Sequence, residues 1–278
     1  MQLNSRGRSL KLDRPAIMGI LNVTPDSFSD GGLWNDTDKA YDHAAKMVAD
    51  GADVIDIGGE STRPGALDVS TQEEMARVIP VVRKIASSLD VMISVDTSSP
   101  ELMQAAYVEG AHIWNDIRAL RREGALEKAA ALNIPVILMH MLGQPRTMQQ
   151  CPVYKNVVTE VRDFLLERAD AALQAGVKHE NIILDPGFGF GKNVKDNYIL
   201  LNSLQELCAL GYPLLSALSR KSMLGAATGV QKASERVISS VSGHLISVMK
   251  GACMVRVHDV AATAEALEVF NAMKESAL

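Results

Sequence analysis

Short apolar runs that end in a polar residue recur along this chain, and longer amphipathic segments separate them. The runs are apolar at successive positions, which is typical of parallel strands buried on both faces. The segments between them are long enough for the helical crossovers that parallel strands require. Eight runs are predicted as strands: Ala16–Asn22, Val54–Gly58, Met92–Asp96, Ile113–Asp116, Val136–His140, Ile182–Asp185, Leu214–Ser219 and Met254–Val257. The pattern predicts an α/β fold, a TIM (β/α)8 barrel, with an open doubly wound sheet as the less favoured alternative.

The segments between the strands carry helix signals of their own. Ser70 and Glu73 have the spacing of a capping box, in which the two residues bond each other's backbone N–H groups. Ser99 and Pro100 are suited to the N-cap and first position of another helix. Pro80 falls inside the helix predicted after Ser70, where it should kink the helix or remove one hydrogen bond.

A weak internal repeat supports the barrel. Gly51-Ala52, Gly110-Ala111 and Gly251-Ala252 each place a helix-ending glycine before a predicted strand. The fifth residue after each glycine is polar, and these residues are Asp56, Asn115 and Arg256. The repeat therefore predicts three different functional groups at similar heights on three strands of one barrel.

Length, composition and charge narrow the class of protein. The chain has 278 residues and no linker, so a single domain over residues 1–278 is predicted. A net charge of −5 argues against a nucleic-acid partner. The longest apolar stretch, residues 134–142, is too short to span a membrane, and the charged N-terminus lacks the apolar region of a signal peptide. We therefore expect no membrane association and a cytoplasmic location.

Polar side chains cluster where the predicted strands end, which is the face on which TIM barrels build their active sites. Asp96, Asn115 and Asp185 offer carboxylate and amide groups that can read the edge of an aminopyrimidinone ring, and Lys221 adds a cation. Helix caps and turn residues are the alternative roles. For His140, a buried histidine with satisfied hydrogen bonds is favoured over a catalytic one. The full set is Asn22, Glu60, Asp96, Asn115, Asp116, His140, Asp185, Arg220, Lys221, Arg256 and His258.

Three loops near the same face invite a functional interpretation. The glycine-rich segment 185–192 is not a P-loop, because Asn193 follows Lys192 where Ser or Thr is needed. We expect this segment to be a flexible lid that carries Phe188 and Phe190. Segments 23–32 and 58–65 are rich in turn residues and are predicted to close over a substrate. A basic group able to hold an anion consists of Arg63, Arg220, Lys221, Arg256 and His258.

Several long motifs resemble the signatures of bacterial dihydropteroate synthases, and the resemblance runs from about Ala16 to about Val260. The motifs are Met18–Gly31, Gly58–Gly65, Ser94–Thr97, Asp185–Gly191 and Ser219–Ser222. The resemblance implies a folate-pathway enzyme that joins (7,8-dihydropterin-6-yl)methyl diphosphate to 4-aminobenzoate and releases diphosphate, with Mg2+ assisting. Ala217 departs from the family, which usually has glycine there.

The same resemblance assigns roles to individual residues. It implies that Asp96, Asn115, Asp185 and Lys221 hold the pterin, and that Asp96, Asp185 and Lys221 are catalytic. It assigns the diphosphate to Thr62, Arg63, Arg256 and His258, and a magnesium ion to Asn22. It assigns 4-aminobenzoate, and hence competing sulfonamides, to Phe28, Pro64, Phe190 and Ser222.

Two other classes and one assembly state are also predicted or kept open. A corrinoid methyltransferase-type pterin barrel would read the same pterin edge, although segments 61–65 and 219–222 favour diphosphate chemistry. A catalytically inactive pterin-binding protein is the second alternative. A homodimer is predicted because late helices rich in Ala, Val and Leu, such as the segment from Glu235 to Met249, can expose an apolar face.

Overall fold

The chain begins with an antiparallel hairpin that the sequence analysis did not predict. A computed structural model describes residues 1–24, 33–60, 69–143, 148 and 152–276. Strands β1 (Gln2–Ser5) and β2 (Arg8–Lys11) pair with each other. The turn between them contains Arg6 and Gly7, both with positive φ. Leu3 and Leu12 from this hairpin pack into the lower end of the barrel interior.

Eight parallel strands form the central sheet of the described chain. Their spatial order is β8-β7-β6-β5-β4-β3-β10-β9. A parallel bridge between Leu184 and Leu214 joins the two ends of this sheet, so the strands encircle a common interior. The strands are β3 (Ala16–Asn22), β4 (Val54–Gly58), β5 (Met92–Asp96), β6 (Ile113–Asp116), β7 (Val136–Met139), β8 (Ile182–Asp185), β9 (Leu215–Ser216) and β10 (Met254–Val257). The predicted TIM barrel is confirmed.

Helices follow each strand and cover the outside of the sheet. They are α1 (Leu33–Ala49), α2 (Thr71–Ser88), α3 (Pro100–Glu109), α4 (Ala125–Leu132), α5 (Val157–Gln174), α6 (Val194–Asn202), α7 (Leu204–Cys208), α8 (Ser222–Thr228), α9 (Val237–Met249) and α10 (Val260–Glu275). Both predicted helix starts are confirmed: Ser70 and Glu73 form the capping box of α2, and Ser99 caps α3 with Pro100 next. Helix α2 continues through Pro80. Within the described residues, no helix combines the length and apolar character that crossing a bilayer requires.

The core has two parts on the two sides of the sheet. The larger part fills the space between strands and helices and includes Trp114 and Phe188, both fully buried. The smaller part fills the lower barrel interior with one apolar side chain from each of the eight described strands. These are Met18, Val54, Met92, Ile113, Ile137, Ile183, Leu215 and Met254. Since side chains alternate along a strand, the residue two positions further on points into the same interior, one layer higher.

Two strand predictions were too long. Strand β7 ends at Met139, one residue before His140, and the strand predicted over Leu214–Ser219 is paired only at Leu214, through its bridge to Leu184, and at Leu215–Ser216. Beyond Ser216 the chain turns from the sheet toward α8, and Arg220 takes a left-handed conformation with φ 59°. The apolar run before Ser219 is buried for a reason other than strand pairing: Leu218 packs among the helices.

Candidate active site

The upper barrel interior is polar where the lower interior is apolar. Two residues beyond Val54, Ile113 and Met254 lie Asp56, Asn115 and Arg256, the three positions of the sequence repeat. The structure brings these three side chains into direct contact. The repeat therefore predicted a real juxtaposition, although Asp56 was absent from the list of candidate site residues.

Asp56 is at the centre of a four-residue group, the Asp56 cluster, which also contains Asp96, Asn115 and Arg256. Its Oδ2 accepts hydrogen bonds from Arg256 Nε at 2.6 Å and from Asn115 Nδ2 at 3.1 Å. Arg256 Nη2 also donates to Asp96 Oδ2 at 2.8 Å, so one guanidinium joins two carboxylates. Asp56 is fully buried, and its Oδ1 has no partner among the described residues.

For both Asp96 and Arg256, burial and neighbouring opposite charges shift the pKa in opposite directions. Burial raises the pKa of Asp96 to about 7; Arg256 opposes this shift and the Asp56 carboxylate adds to it. Burial alone would lower the pKa of Arg256, but the charges of Asp56 and Asp96 outweigh it and raise the pKa overall. The cluster is thus a fixed guanidinium beside a carboxyl group that titrates near neutral pH.

Asp185 ends β8 beside the cluster and begins a tightly bonded segment. Its Oδ1 accepts a hydrogen bond from Gly187 N at 2.7 Å. Burial raises the pKa of Asp185, and the positive charge of Lys221 opposes that rise. The expectation of a flexible lid is wrong for Phe188, which is fully buried in the core between sheet and helices. Phe190 is half-buried and packs on an apolar group above the barrel.

Lys192 lies at the end of this segment and binds two of its carbonyl groups. It is only 2% exposed, and its Nζ bonds to His140 Nδ1 at 2.9 Å, Gly187 O at 2.8 Å and Phe190 O at 3.2 Å. The conclusion that this lysine does not belong to a P-loop is confirmed, because its ammonium points into the protein. The prediction for His140 is also confirmed: it is 4% exposed, and burial lowers its pKa to about 2.

Lys221 approaches the same segment. Its Nζ donates to Phe188 O and lies 4.8 Å from the centroid of the Phe190 ring. Burial lowers the pKa of Lys221 to about 8, while the Asp185 carboxylate acts in the opposite direction. Ser222, the first residue of α8, is exposed next to it.

Two basic residues near β10, His258 and Arg220, each have a polar partner. His258 bonds Ser219 Oγ through its backbone N–H at 3.0 Å and through Nδ1 at 2.9 Å. Arg220 forms a two-point ion pair with Asp259, at 3.0 and 2.6 Å. Arg220 therefore has a carboxylate partner on one edge of its guanidinium, as Arg256 has.

Asn22 ends β3 and is half-buried. Its Oδ1 lies 3.6 Å from the position that a Cβ on Gly58 would occupy, and Asp96 Cβ lies 3.6 Å from the same point. A glycine at position 58 therefore leaves the space between Asn22 and Asp96 open. Four predicted site residues, Phe28, Thr62, Arg63 and Pro64, lie outside the described residues.

Comparison with known proteins identifies the family. A model of pterin-binding enzymes matches residues 18–258, which is most of the chain. The chain belongs to the pterin-binding enzyme family. Within this family it is 53% identical over 272 residues to dihydropteroate synthase of Haemophilus influenzae, with 98% of each chain covered. It is 52% identical to the Escherichia coli K12 enzyme of that name, covering 98% of this chain and 96% of that one.

Solved dihydropteroate synthases share the fold closely. The Xanthomonas albilineans enzyme with 4-aminobenzoic acid superimposes with a TM-score of 0.94 at 49% identity, covering 98% of both chains. The Yersinia pestis enzyme in a sulfonamide drug complex gives 0.94 at 50% identity, covering 99% of this chain and 100% of that one. The X. albilineans enzyme with 7,8-dihydropteroate gives 0.91 at 46% identity, covering 99% of both chains. The chain is therefore a member of the dihydropteroate synthase group of pterin-binding enzymes.

Proposed function

We propose that this chain joins (7,8-dihydropterin-6-yl)methyl diphosphate to 4-aminobenzoate, giving 7,8-dihydropteroate and diphosphate. The observation that carries the proposal is the polar upper layer of the barrel, where the Asp56 cluster, Asp185 and Lys221 converge. Relatives of about half identity were solved with 4-aminobenzoic acid and with 7,8-dihydropteroate. TIM barrels build their active sites at the C-terminal face of the strands, and we assign both substrates to this face.

The pterin is assigned to Asp96, Asn115, Asp185 and Lys221. The pyrimidinone edge of a pterin presents N–H donors next to a carbonyl acceptor. Because Gly187 N already bonds Asp185 Oδ1, the second oxygen of that carboxylate is the one able to accept from the ring. Asn115 donates to Asp56, so its amide oxygen can act as an acceptor. Lys221 supplies a cationic donor for the carbonyl.

The diphosphate is assigned to His258 and Arg256, together with Thr62 and Arg63. Arg256 uses Nε and Nη2 on carboxylates, and a guanidinium carries further N–H donors that can face a phosphate oxygen. His258 already accepts or donates at Nδ1 to Ser219, which fixes the ring orientation. Cationic donors aimed at the leaving group stabilise the charge that develops on it.

A magnesium ion fits this arrangement as a companion of the diphosphate. The described residues hold no group of three or more His, Cys, Asp or Glu side chains able to bind a metal by themselves. Mg2+ commonly takes few protein oxygens and completes its shell with phosphates and water. The Asn22 amide oxygen, facing the open space beside Gly58, is suited to such a site. When bound, the ion would neutralise charge on the diphosphate.

The 4-aminobenzoate is assigned to Phe190 and Ser222, together with Phe28 and Pro64, and sulfonamides are expected to compete for this site. The amine nitrogen forms a bond to the pterin methylene carbon, the bond from that carbon to the diphosphate oxygen breaks, and the amine loses a proton. An aromatic amine is neutral near pH 7, so a strong base is unnecessary. Positioning of the two substrates and stabilisation of the leaving group account for most of the rate.

Binding of the pterin part tests this assignment directly. Titration calorimetry with 6-hydroxymethyl-7,8-dihydropterin should show binding to the wild type and at least about tenfold weaker binding to Asp185→Asn. Asp90→Asn is the matched control, because Asp90 is almost fully exposed at the other end of the barrel. Equal affinity of the wild type and Asp185→Asn would refute the assignment of Asp185.

The predicted homodimer is proposed to use the outer surface of α9 and α10. Large apolar side chains lie exposed there: Ile238 is 83%, Met249 64% and Val269 69% exposed. Such a patch is suited to a second copy of the chain. Sedimentation should give the dimer mass for the wild type and the monomer mass for Ile238→Asp; a monomeric wild type would contradict this proposal.

A cytoplasmic location stays a prediction. Cys208 and Cys253, the two cysteines within the described residues, are both free thiols. Free thiols suit a reducing compartment.

A further inference from the structure

A buried lysine lies beneath the candidate site, in a position that the reaction itself does not use. Lysine is rarely fully buried, because removing an ammonium from water is costly unless its hydrogens are bonded. Lys192 Nζ has three hydrogen-bond partners: it donates to Gly187 O and Phe190 O, and it bonds His140 Nδ1. Burial lowers the pKa of Lys192 well below its usual range, and these three bonds are what hold the buried nitrogen in place.

The three partners come from two neighbouring strand ends. His140 directly follows β7, whereas Gly187 and Phe190 belong to the segment after β8. That segment alternates left-handed glycines, with φ of 65°, 80° and 62° at Gly187, Gly189 and Gly191. Glycine adopts this conformation without steric cost, so the backbone can turn sharply and leave its carbonyls available to the lysines.

Two lysines bind carbonyl groups of this segment. Lys192 takes the carbonyls of Gly187 and Phe190, and Lys221 takes the carbonyl of Phe188 that lies between them. The Phe190 ring in turn lies 4.8 Å from Lys221 Nζ. The position of Phe190 relative to Lys221 therefore depends on how Lys192 holds the backbone.

Asp185 is anchored in a different way. Its backbone carbonyl accepts from His140 N at 2.9 Å, and it pairs in register with Met139 of β7. Lys192 bonds Phe190 directly, whereas it reaches the Asp185 carboxylate only through Gly187, whose N–H bonds Asp185 Oδ1. Loss of the Lys192 side chain should therefore disturb Phe190 more than Asp185. The two ends of the segment serve different parts of the site assigned above.

We propose that Lys192 is a positioning residue for the 4-aminobenzoate half of the site, acting through the backbone at Phe190. This inference rests on the proposed function, in which Phe190 contacts 4-aminobenzoate and Asp185 contacts the pterin. The Lys192 side chain acts without touching either substrate. Loss of this side chain should therefore weaken binding of 4-aminobenzoate more than binding of the pterin.

The test is steady-state kinetics of Lys192→Met, with pterin binding measured by calorimetry. The KM for 4-aminobenzoate should rise at least about tenfold, while the pterin dissociation constant changes by less than about threefold. Lys195→Met is the matched control, because Lys195 is exposed three residues away and should behave as the wild type. His140→Leu removes one of the three partners and should shift the same KM in the same direction by a smaller factor.

Each outcome decides the proposal. A variant that only melts at a lower temperature, with an unchanged KM for 4-aminobenzoate, overturns it, as does a pterin affinity that falls as much as the 4-aminobenzoate affinity. If Lys192→Met does not fold, His140→Leu and Lys192→Gln carry the same comparison. A wild type without 4-aminobenzoate-dependent diphosphate release would instead refute the proposed function, so the two failures are distinguishable.

Discussion

The carboxylate of Asp56 can be removed to test how the polar layer of the barrel is held together. Asp56 is fully buried and accepts from both Arg256 and Asn115. In Asp56→Ala, the Arg256 guanidinium keeps Asp96 as its partner but loses the shorter of its two carboxylate bonds, 2.6 Å against 2.8 Å. Breaking a buried ion pair from one side costs about 3–5 kcal/mol, because a charge stays buried without its partner. We expect the lower half of that range, since Asp96 remains.

Urea unfolding followed by circular dichroism measures this loss. Asp90→Ala is the control, because its carboxylate pairs with Arg8 at the surface and should be dispensable. Asp56→Asn keeps an oxygen that can accept from Arg256 and Asn115, and it should lose less stability than Asp56→Ala. A loss for Asp56→Ala no greater than that for Asp90→Ala would refute the reasoning, as would an Asp56→Asn variant less stable than Asp56→Ala.

Three further predictions concern stability. His244 is 1% exposed, and neither of its ring nitrogens has a hydrogen-bond partner among the described residues. His244→Leu should therefore raise the free energy of unfolding by about 1–2 kcal/mol. A thermal unfolding midpoint below that of the wild type would contradict this. Gly187→Ala should abolish folding, because the new Cβ would lie 1.9 Å from His140 O. In Gly7→Ala no atom lies within 4 Å of the new Cβ, so the free energy of unfolding should fall by only about 1–2 kcal/mol. Soluble yields and melting curves of the two variants test this difference. Burial lowers the pKa of His244 to about 3, so between about pH 6.5 and pH 3 only the unfolded state gains this proton, while the pKa values of Glu74 and Asp96, each raised to about 7, act in the opposite direction. As pH falls through this range, the wild type should therefore lose stability relative to His244→Leu, and a constant difference between the two would contradict the assignment.

The barrel and the centre of the site were predictable because both follow from alternation along strands. A strand buried on both faces leaves an apolar run, and the polar residue that ends it must lie at the C-terminal face. Asp96 and Asp185 were found in this way. Asp56 lies inside its apolar run and not at the end of it, so only the internal repeat indicated it.

The contacts between distant segments were not predictable. Alternating glycines at 187, 189 and 191 were interpreted as flexibility, but they allow the backbone to wrap around Lys192. The pairing of Arg220 with Asp259 joins residues 39 positions apart and leaves no local pattern. The N-terminal hairpin was missed because its two strands are only four residues long and mostly polar, and each contains a single apolar residue.

We propose that the substrates react to form dihydropteroate at the polar upper layer of this barrel. The most direct test is diphosphate release by the purified protein with dihydropterin diphosphate and Mg2+, with and without 4-aminobenzoate. We expect diphosphate release to require 4-aminobenzoate. Its rate should fall at least about a hundredfold in Asp185→Asn but not in Asp90→Asn. Release independent of 4-aminobenzoate, or full activity of Asp185→Asn, would contradict it.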